Sequence, residues 1–230
     1  MISIIIPIFN EEDNLKKLIP YLQKCCEGFS AEIIICDGES TDNSVAIAKS
    51  FNSKVVISTR KGRAVQMNIA AATAMYDIYY FVHADSIPPA SFCSDIVAAL
   101  KSGYQFGRYC TQFEGSKWLL KLNAYFTKFD WFMCYGGDQT LYITRALFTK
   151  VNGYNELLLI MEEYDLVNRA KQFARYKIFS KATIVSVRKY EHNSWLKVQQ
   201  ANYRTVKLFK KGIQQVDLIT QYRKALEGIK

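Results

Sequence analysis

The sequence predicts an α/β fold, a doubly wound and mostly parallel sheet with a late antiparallel strand. Short apolar runs alternate with amphipathic segments four times between residues 2 and 82, across brief connections, as parallel strands and crossover helices do. Beyond residue 82 this regularity gives way to longer segments of mixed pattern. The chain has 230 residues, half of them hydrophobic and 22% charged, which suits one large domain and excludes a disordered chain.

Residues 2–6 are an apolar run suited to a buried parallel strand. A helix is predicted from Glu11 to Glu27, with Asn10 as candidate N-cap, acidic residues in the first turn and Pro20 as the residue that would kink it. Strands follow at 32–36, 54–58 and 78–82, separated by helices at 42–51 and 63–75. Pro88-Pro89 opens a helix to Ser102, and Tyr104–Phe113 alternates as an exposed or antiparallel strand does. Ser116–Phe132 reads as an aromatic amphipathic helix, 139–143 as a strand, 162–174 as a helix, 177–187 as a strand and 194–211 as a basic helix. Residues 1–190 thus form the α/β domain and 191–230 a basic helical extension packed on it.

The net charge of +9 is concentrated in Arg175–Lys189 and Lys197–Lys230. It suits acidic partners, such as nucleoside diphosphates or anionic lipid, or else a solvated basic face. The basic residues do not interleave with aromatics on a recognition element, so no nucleic-acid partner is expected. Six cysteines form no C-x-x-C pair and neither histidine completes a zinc spacing, which points to free thiols in a reducing compartment. No apolar run approaches the ~18–20 residues that cross a bilayer, and the first residues lack the basic start of a signal peptide. A cytoplasmic protein is expected. Trp118, Phe126, Phe129, Trp131 and Phe132, beside the basic helix, add the expectation of peripheral contact with an anionic membrane at its inner face; core packing and stacking on an acceptor sugar are the other uses of such rings.

In open α/β sheets, ligands bind at the carboxyl ends of the strands. Here those ends read Pro7-Ile8-Phe9-Asn10-Glu11-Glu12, Asp37-Gly38-Glu39-Ser40-Thr41-Asp42-Asn43-Ser44, Arg60-Lys61-Gly62-Arg63 and His83-Ala84-Asp85. Four polar loops on one edge make one site. Neither G-x-G-x-x-G nor G-x-x-x-x-G-K-[ST] is present, which excludes a dinucleotide fingerprint and a P-loop.

These loops, with Gly62-Arg63-Ala64-Val65-Gln66-Met67-Asn68, Gly137-Asp138-Gln139 and Met161-Glu162-Glu163-Tyr164-Asp165-Leu166, resemble the family 2 glycosyltransferases of the GT-A fold. Within them the chain is similar to a small stand-alone subgroup that occurs beside radical-SAM proteins. The resemblance runs from residue 2 to about residue 190, and its motifs are specific in their order and spacing. It implies transfer of a sugar from a nucleoside-diphosphate sugar, a UDP-sugar by preference, to the hydroxyl of an unidentified acceptor with inversion.

The same resemblance assigns roles. Pro7, Phe9, Asn10, Glu11 and the Asp37-Gly38 turn would hold the nucleoside, with Glu11 at the ribose or base and Asp37 accepting from the base imide. Asn10 either contributes there or only caps the helix. Lys61 and Arg63 flank Gly62 at a helix N-terminus and suit the diphosphate, with Asn68 further along the same helix. His83-Ala84-Asp85 stands where the family has Asp-x-Asp, so Asp85 and His83 are the candidate ligands of Mn2+ or Mg2+; alternatively His83 hydrogen-bonds a phosphate. Glu163 occupies the base position of the family's Glu-Asp pair, after Glu162, and Asp165 is the second candidate. Acidic residues there also suit the first turn of a helix. Asp138 would line the acceptor side, and His192 is either a further ligand or a surface histidine. A nucleotidyltransferase would carry a Gly-rich basic loop after the first strand, which is not there. A non-catalytic sugar-nucleotide binder is the alternative that imidazole at position 83 leaves open.

Overall fold

The central strand β1 (Ile2–Ile8) is buried along its whole length, which an aliphatic strand achieves with neighbours on both edges and layers on both faces. In the computed structural model, which describes residues 1–115, 118–132, 135 and 140–227, β1 pairs in parallel with β2 (Ala31–Asp37) and β4 (Ile78–Phe81). β3 (Lys54–Ile57) adds in parallel outside β2. The helix α1 (Glu12–Cys25) runs through Pro20 and buries Leu15, Leu18, Ile19 and Leu22, the stripe expected of an amphipathic crossover. Two further helices, α2 (Ser44–Ser50) and α3 (Arg63–Ala72), complete the alternation. Side chains divide by strand parity: Ile2, Ile4, Ile6 and Ile8 pack with the α1 stripe, whereas Ile5 packs with Met67 and Ala70 of α3.

The second half reverses direction. It contributes β5 (Ser86–Ile87), β6 (Phe106–Phe113), β7 (Leu141–Thr144) and β8 (Tyr176–Val185), and the sheet order is β3-β2-β1-β4-β7-β6-β8-β5. β7 runs antiparallel to both β4 and β6, while β6 and β8 are parallel. The segment expected as an exposed or antiparallel strand is therefore buried from Phe106 to Thr111 and antiparallel to one neighbour only. Helices α4 (Phe92–Lys101), α6 (Arg145–Lys150) and α7 (Glu162–Ala170) cover the sheet. Short β5 and α6 have no sequence period of their own; α6 is fixed by Thr144, whose Oγ1 accepts from Leu147 N at 3.3 Å. Two helices from the tail, α8 (Trp195–Lys210) and α9 (Gln215–Ala225), join α5 (Trp118–Phe126) around Leu120, Tyr190, Val198, Ala201 and Leu226.

α5 ends at Phe126, six residues before the aromatic pattern does, and a buried arginine explains why. Arg108 on β6 is 2% exposed. Its Nη1 donates to Thr127 O at 2.8 Å and its Nη2 to Phe129 O at 3.2 Å, while Thr127 Oγ1 accepts from Thr111 N at 2.9 Å. The chain after Phe126 is thus pulled onto the sheet. Arg108→Met keeps the apolar stem but strands both carbonyls, and is expected to cost about 2–4 kcal/mol. Urea unfolding reads this as a lower midpoint at constant slope; an unchanged midpoint refutes this account of the helix end.

Candidate active site

At the carboxyl edge of the sheet, the loops after β1 and β2 are locked together by their own polar groups. Asn10 adopts φ 54, donates its N–H to Ser40 Oγ at 2.8 Å, and accepts from Thr41 N at 2.8 Å through Oδ1. It does not cap α1: Glu11 holds the cap position, and no side chain caps there. Glu11 N donates to Ser44 Oγ at 2.9 Å and Glu12 N to Asp42 Oδ2 at 3.2 Å. Asp37 is buried, with its carboxylate accepting from the N–H groups of Glu39 and Ser40 at 3.1 and 3.0 Å. Gln66, a residue outside the motifs' assigned roles, donates from Nε2 to both Ile8 O and Cys36 O at 2.8 Å. A Cβ on Gly38 would stand 2.9 Å from that amide nitrogen, so a larger residue there would push Gln66 off its two carbonyls. Pro7 lies beyond the last β1–β4 pair, Ile5 with Phe81, where its missing N–H breaks no ladder on that side. Phe9 is exposed at the loop tip.

Beside this frame lies a buried chain of charge. Arg63, the first residue of α3 after Gly62 (φ 127), places Nη1 3.1 Å from His83 Nδ1 and Nε 2.9 Å from Glu162 Oε1. His83 Nε2 lies 3.1 Å from Glu163 Oε1. An arginine only donates, so Nδ1 accepts and Nε2 carries the proton given to Glu163. Glu162 and Glu163 are 0% and 6% exposed, at the start of α7 behind Met161, whose φ of 71 is unusual for a residue with a side chain. Despite the 2.9 Å ion contact with Arg63, neither oxygen of Glu162 receives a hydrogen bond among the described residues. Burial pushes the Glu162 carboxyl up, to about 7, with Arg63 opposing and Glu163 adding to the rise. Burial acts on Glu163 in the same direction, but the His83 hydrogen bond and the Arg63 charge outweigh it and hold that carboxyl below its ordinary range.

The third group joins loops distant in sequence. Arg188, in a single 3₁₀ turn at Arg188–Tyr190, sets one Nη2 at 3.2 Å from Asp85 Oδ2 and 3.5 Å from Glu11 Oε2. In the sequence it is hidden among the basic residues of 175–189; the only signal is its place directly after the last strand. Its two partners are oxygen donors meeting at one cation, a chemistry that also fits Mn2+ or Mg2+. His83 is turned away from this pair, with Nδ1 on Arg63 and Nε2 on Glu163. Among the described residues, no group of three or more His, Cys, Asp or Glu is arranged to hold an ion. Lys61 is exposed, and Ala84 is buried between His83 and Asp85.

Two candidates are drawn elsewhere. Asn68 spends its amide on both backbone polar groups of Tyr154, at 2.9 Å each, and on Glu156. Asp165 is held by Arg169 Nε at 2.8 Å, and Arg169 also donates to Gly153 O at 2.8 Å. Both line a separate open depression of about 510 Å³ with the 151–157 loop. Two positions apart on a helix, Asp165 and Glu163 face opposite ways, so Asp165 is not brought to the charge chain. His192 is exposed in another depression, with Trp118 and Trp195. Asp138 lies outside the described residues.

Solved structures share this architecture. TarS residues 1–349 of S. aureus in complex with UDP-GlcNAc superposes with a TM-score of 0.66 at 17% identity, over 97% of this chain and 71% of that one. The mannosyltransferase PcManGT of Pyrobaculum calidifontis with GDP-Man and Mn2+ gives 0.68 at 13% identity, over 91% and 63%. Glucosyl-3-phosphoglycerate synthase of Mycobacterium tuberculosis with Mn2+, UDP and glucosyl-3-phosphoglycerate gives 0.62 at 19% identity, over 93% and 80%. At such identities the likeness concerns the fold, and it is the GT-A fold. Among curated proteins, a dolichol-phosphate mannosyltransferase of Pyrococcus furiosus is 26% identical over 108 residues, 44% of this chain and 30% of that protein, so the match spans under a third of that relative. The sequence model of glycosyl transferase family 2 matches residues 3–153, and the chain belongs to that family.

Proposed function

We propose that this protein transfers a sugar from a nucleoside-diphosphate sugar to an acceptor hydroxyl, with the donor seated on the edge formed by β1, β2 and β4. The observation that carries the reading is the Arg63–His83–Glu163 chain beside Glu162, at the strand ends where this fold takes ligands. The interlocked loops after β1 and β2 offer the nucleoside a wall already rigid before it binds, and the α3 N-terminus with Lys61 faces the diphosphate. The neighbours crystallised with UDP-GlcNAc, UDP and GDP-Man support a nucleotide donor, UDP being favoured here. Asp85, with Glu11 beside it, would hold a divalent ion, which when bound would supply positive charge against the leaving diphosphate.

Glu163 acts as the base. As the acceptor oxygen attacks C1 from the face opposite the diphosphate, the bond from C1 to the diphosphate oxygen breaks and the acceptor proton passes to Glu163, inverting the anomeric centre. His83 orients that carboxylate by donating from Nε2, and Arg63 fixes the tautomer. Glu162, whose carboxyl is raised, takes up a proton near neutrality, so the pair need not hold two charges in one dry space.

The acceptor is met at an anionic bilayer. On α5, Trp118, Leu122 and Tyr125 recur at i, i+4 and i+7, and Phe126, Phe129 and Trp131 extend the patch, all at least 36% exposed. Phe129 and Trp131 stack with centroids 4.9 Å apart, and Lys121 and Lys128 stand among them exposed. Aromatic rings with lysines at their rim suit headgroups, whereas pairing two copies of this face would oppose lysine to lysine. No helix among the described residues is long and apolar enough to cross a membrane, so the contact is peripheral.

Three measurements test this reading. A UDP-sugar at a hundred times its dissociation constant adds about 2.7 kcal/mol, a rise in Tm of roughly 5–10 °C. Glu163→Gln should keep that rise and lower transfer or donor hydrolysis about 10²–10⁴-fold. No rise with UDP-, GDP- or dTDP-sugars removes the donor site. Glu162→Gln tests the raised carboxyl. A folded value above the unfolded one means the native state binds extra protons, so stability from this group is present at acid pH and is lost as pH rises through about 7. The variant should therefore gain about 3 °C or more in Tm at pH 8.5 and almost nothing below about pH 4, where the carboxyl is protonated in both states; an equal effect at both refutes it. Finally, the protein should float with phosphatidylglycerol vesicles and not with phosphatidylcholine ones. Serine at Trp118, Tyr125 and Trp131 should abolish flotation, and flotation that survives moves the contact elsewhere.

A further inference from the structure

We propose that Arg188 is a tethered cation that occupies the Glu11–Asp85 pair until a nucleoside diphosphate draws it off, so that a divalent ion enters this pair only together with the nucleotide. The inference rests on the donor-site reading under Proposed function and assigns a residue that lies outside the matched family segment, residues 3–153.

The geometry is that of a clamp with one open side. A single guanidinium nitrogen lies 3.2 Å from Asp85 Oδ2 and 3.5 Å from Glu11 Oε2, joining the loops after β4 and β1. The two carboxylates are firmly placed. Glu11 has its N–H on Ser44 Oγ at 2.9 Å and its Oε2 accepting from Asn14 Nδ2, and Asp85 precedes Ser86 of β5, which pairs with Val185 of β8. The arginine is anchored at its root and open at its head. Its N–H donates to Ser186 Oγ at 3.2 Å, Tyr190 two residues on is buried in the α5–α8 cluster, and the side chain is 49% exposed. Such a side chain can swing without disturbing the fold.

Charge sets the order of binding. Two carboxylates with one guanidinium leave one net negative charge, a poor attraction for a strongly hydrated divalent ion that must also sit beside a fixed positive group. A diphosphate changes the balance, because guanidinium pairs with phosphate oxygens through paired N–H donors and phosphate oxygens add ligands for the ion. When Arg188 turns to the diphosphate, Asp85 and Glu11 are released to the metal. Ion and nucleotide then bind with positive coupling, and the empty site stays closed to stray cations.

The test is Mn2+ binding by electron paramagnetic resonance or calorimetry, without nucleotide, on the intact chain. Arg188→Gln is expected to bind Mn2+ at least tenfold more tightly than the wild type, with Arg188→Lys close to wild type, and adding Asp85→Asn to Arg188→Gln should erase the gain. In EDTA, Arg188→Gln should bind UDP or GDP at least tenfold more weakly than wild type. Equal Mn2+ affinity of wild type and Arg188→Gln overturns the clamp, and unchanged nucleotide affinity in EDTA overturns the swing. If neither nucleotide binds the wild type, the donor reading falls and takes the swing with it. The Mn2+ comparison still decides the clamp, so the two failures are distinguishable.

Discussion

Two carboxylates taken out of water at the start of α7 set the terms for everything around them. Burying a carboxylate without a partner costs several kcal/mol, and Glu162 and Glu163 are consecutive and both buried. One guanidinium and one imidazole answer that cost, and each arrives from a different element: Arg63 from the first turn of α3 and His83 from the end of β4. The helix must therefore begin at Gly62, where a φ of 127 lets the chain turn from the third loop directly into Arg63.

The same constraint explains the departure at position 83. A third carboxylate there, in place of imidazole, would crowd three carboxyl groups around a single guanidinium in a dry space. A neutral imidazole can accept from Arg63 and donate to Glu163 at once, which no carboxylate can do without a proton. With histidine drawn inward, Asp85 two residues later stands at the solvent-facing side of the loop, where Arg188 meets it. The His-Ala-Asp sequence is thus divided, one residue completing the buried chain and the other meeting Arg188 at the surface.

How much of this the sequence discloses depends on the range of the interaction. The first four strands and their helices are legible because each carries its own period: an aliphatic run, then a stripe such as Leu15, Leu18, Ile19 and Leu22. β6 misleads because alternation does not reveal that both faces are covered, and the end of α5 is set by Arg108, whose guanidinium reaches carbonyls 19 and 21 residues away. The site divides likewise. That polar loops converge on one edge is a consequence of their position after the strands. Which atoms remain for a ligand is not, because Asn10 and Asn68 meet partners that only folding supplies, Thr41 and Tyr154. Gln66 on an Ala-rich helix and Arg188 in a basic stretch look ordinary in one dimension.

The site therefore has a stiff side and a responsive side, built from different materials. The stiff side is backbone and short side chains, where Gln66 ties Ile8 to Cys36 and Asn10 ties its loop to Thr41, so the nucleoside proposed for this wall would find little order left to lose. The responsive side is a long, half-exposed arginine on a single 3₁₀ turn, held by two carboxylates through contacts of 3.2 and 3.5 Å and no shorter. Exposed ion pairs of that length contribute little to folding, so the fold loses little when Arg188 moves. The buried pair cannot share that freedom, because separating Glu163 from His83 would leave a charge in the interior without its hydrogen bond. On the proposed reading, recognition and proton transfer would thereby be kept apart: the groups that would change partners lie at the surface of the edge, and the group that would keep its geometry through the reaction lies beneath it.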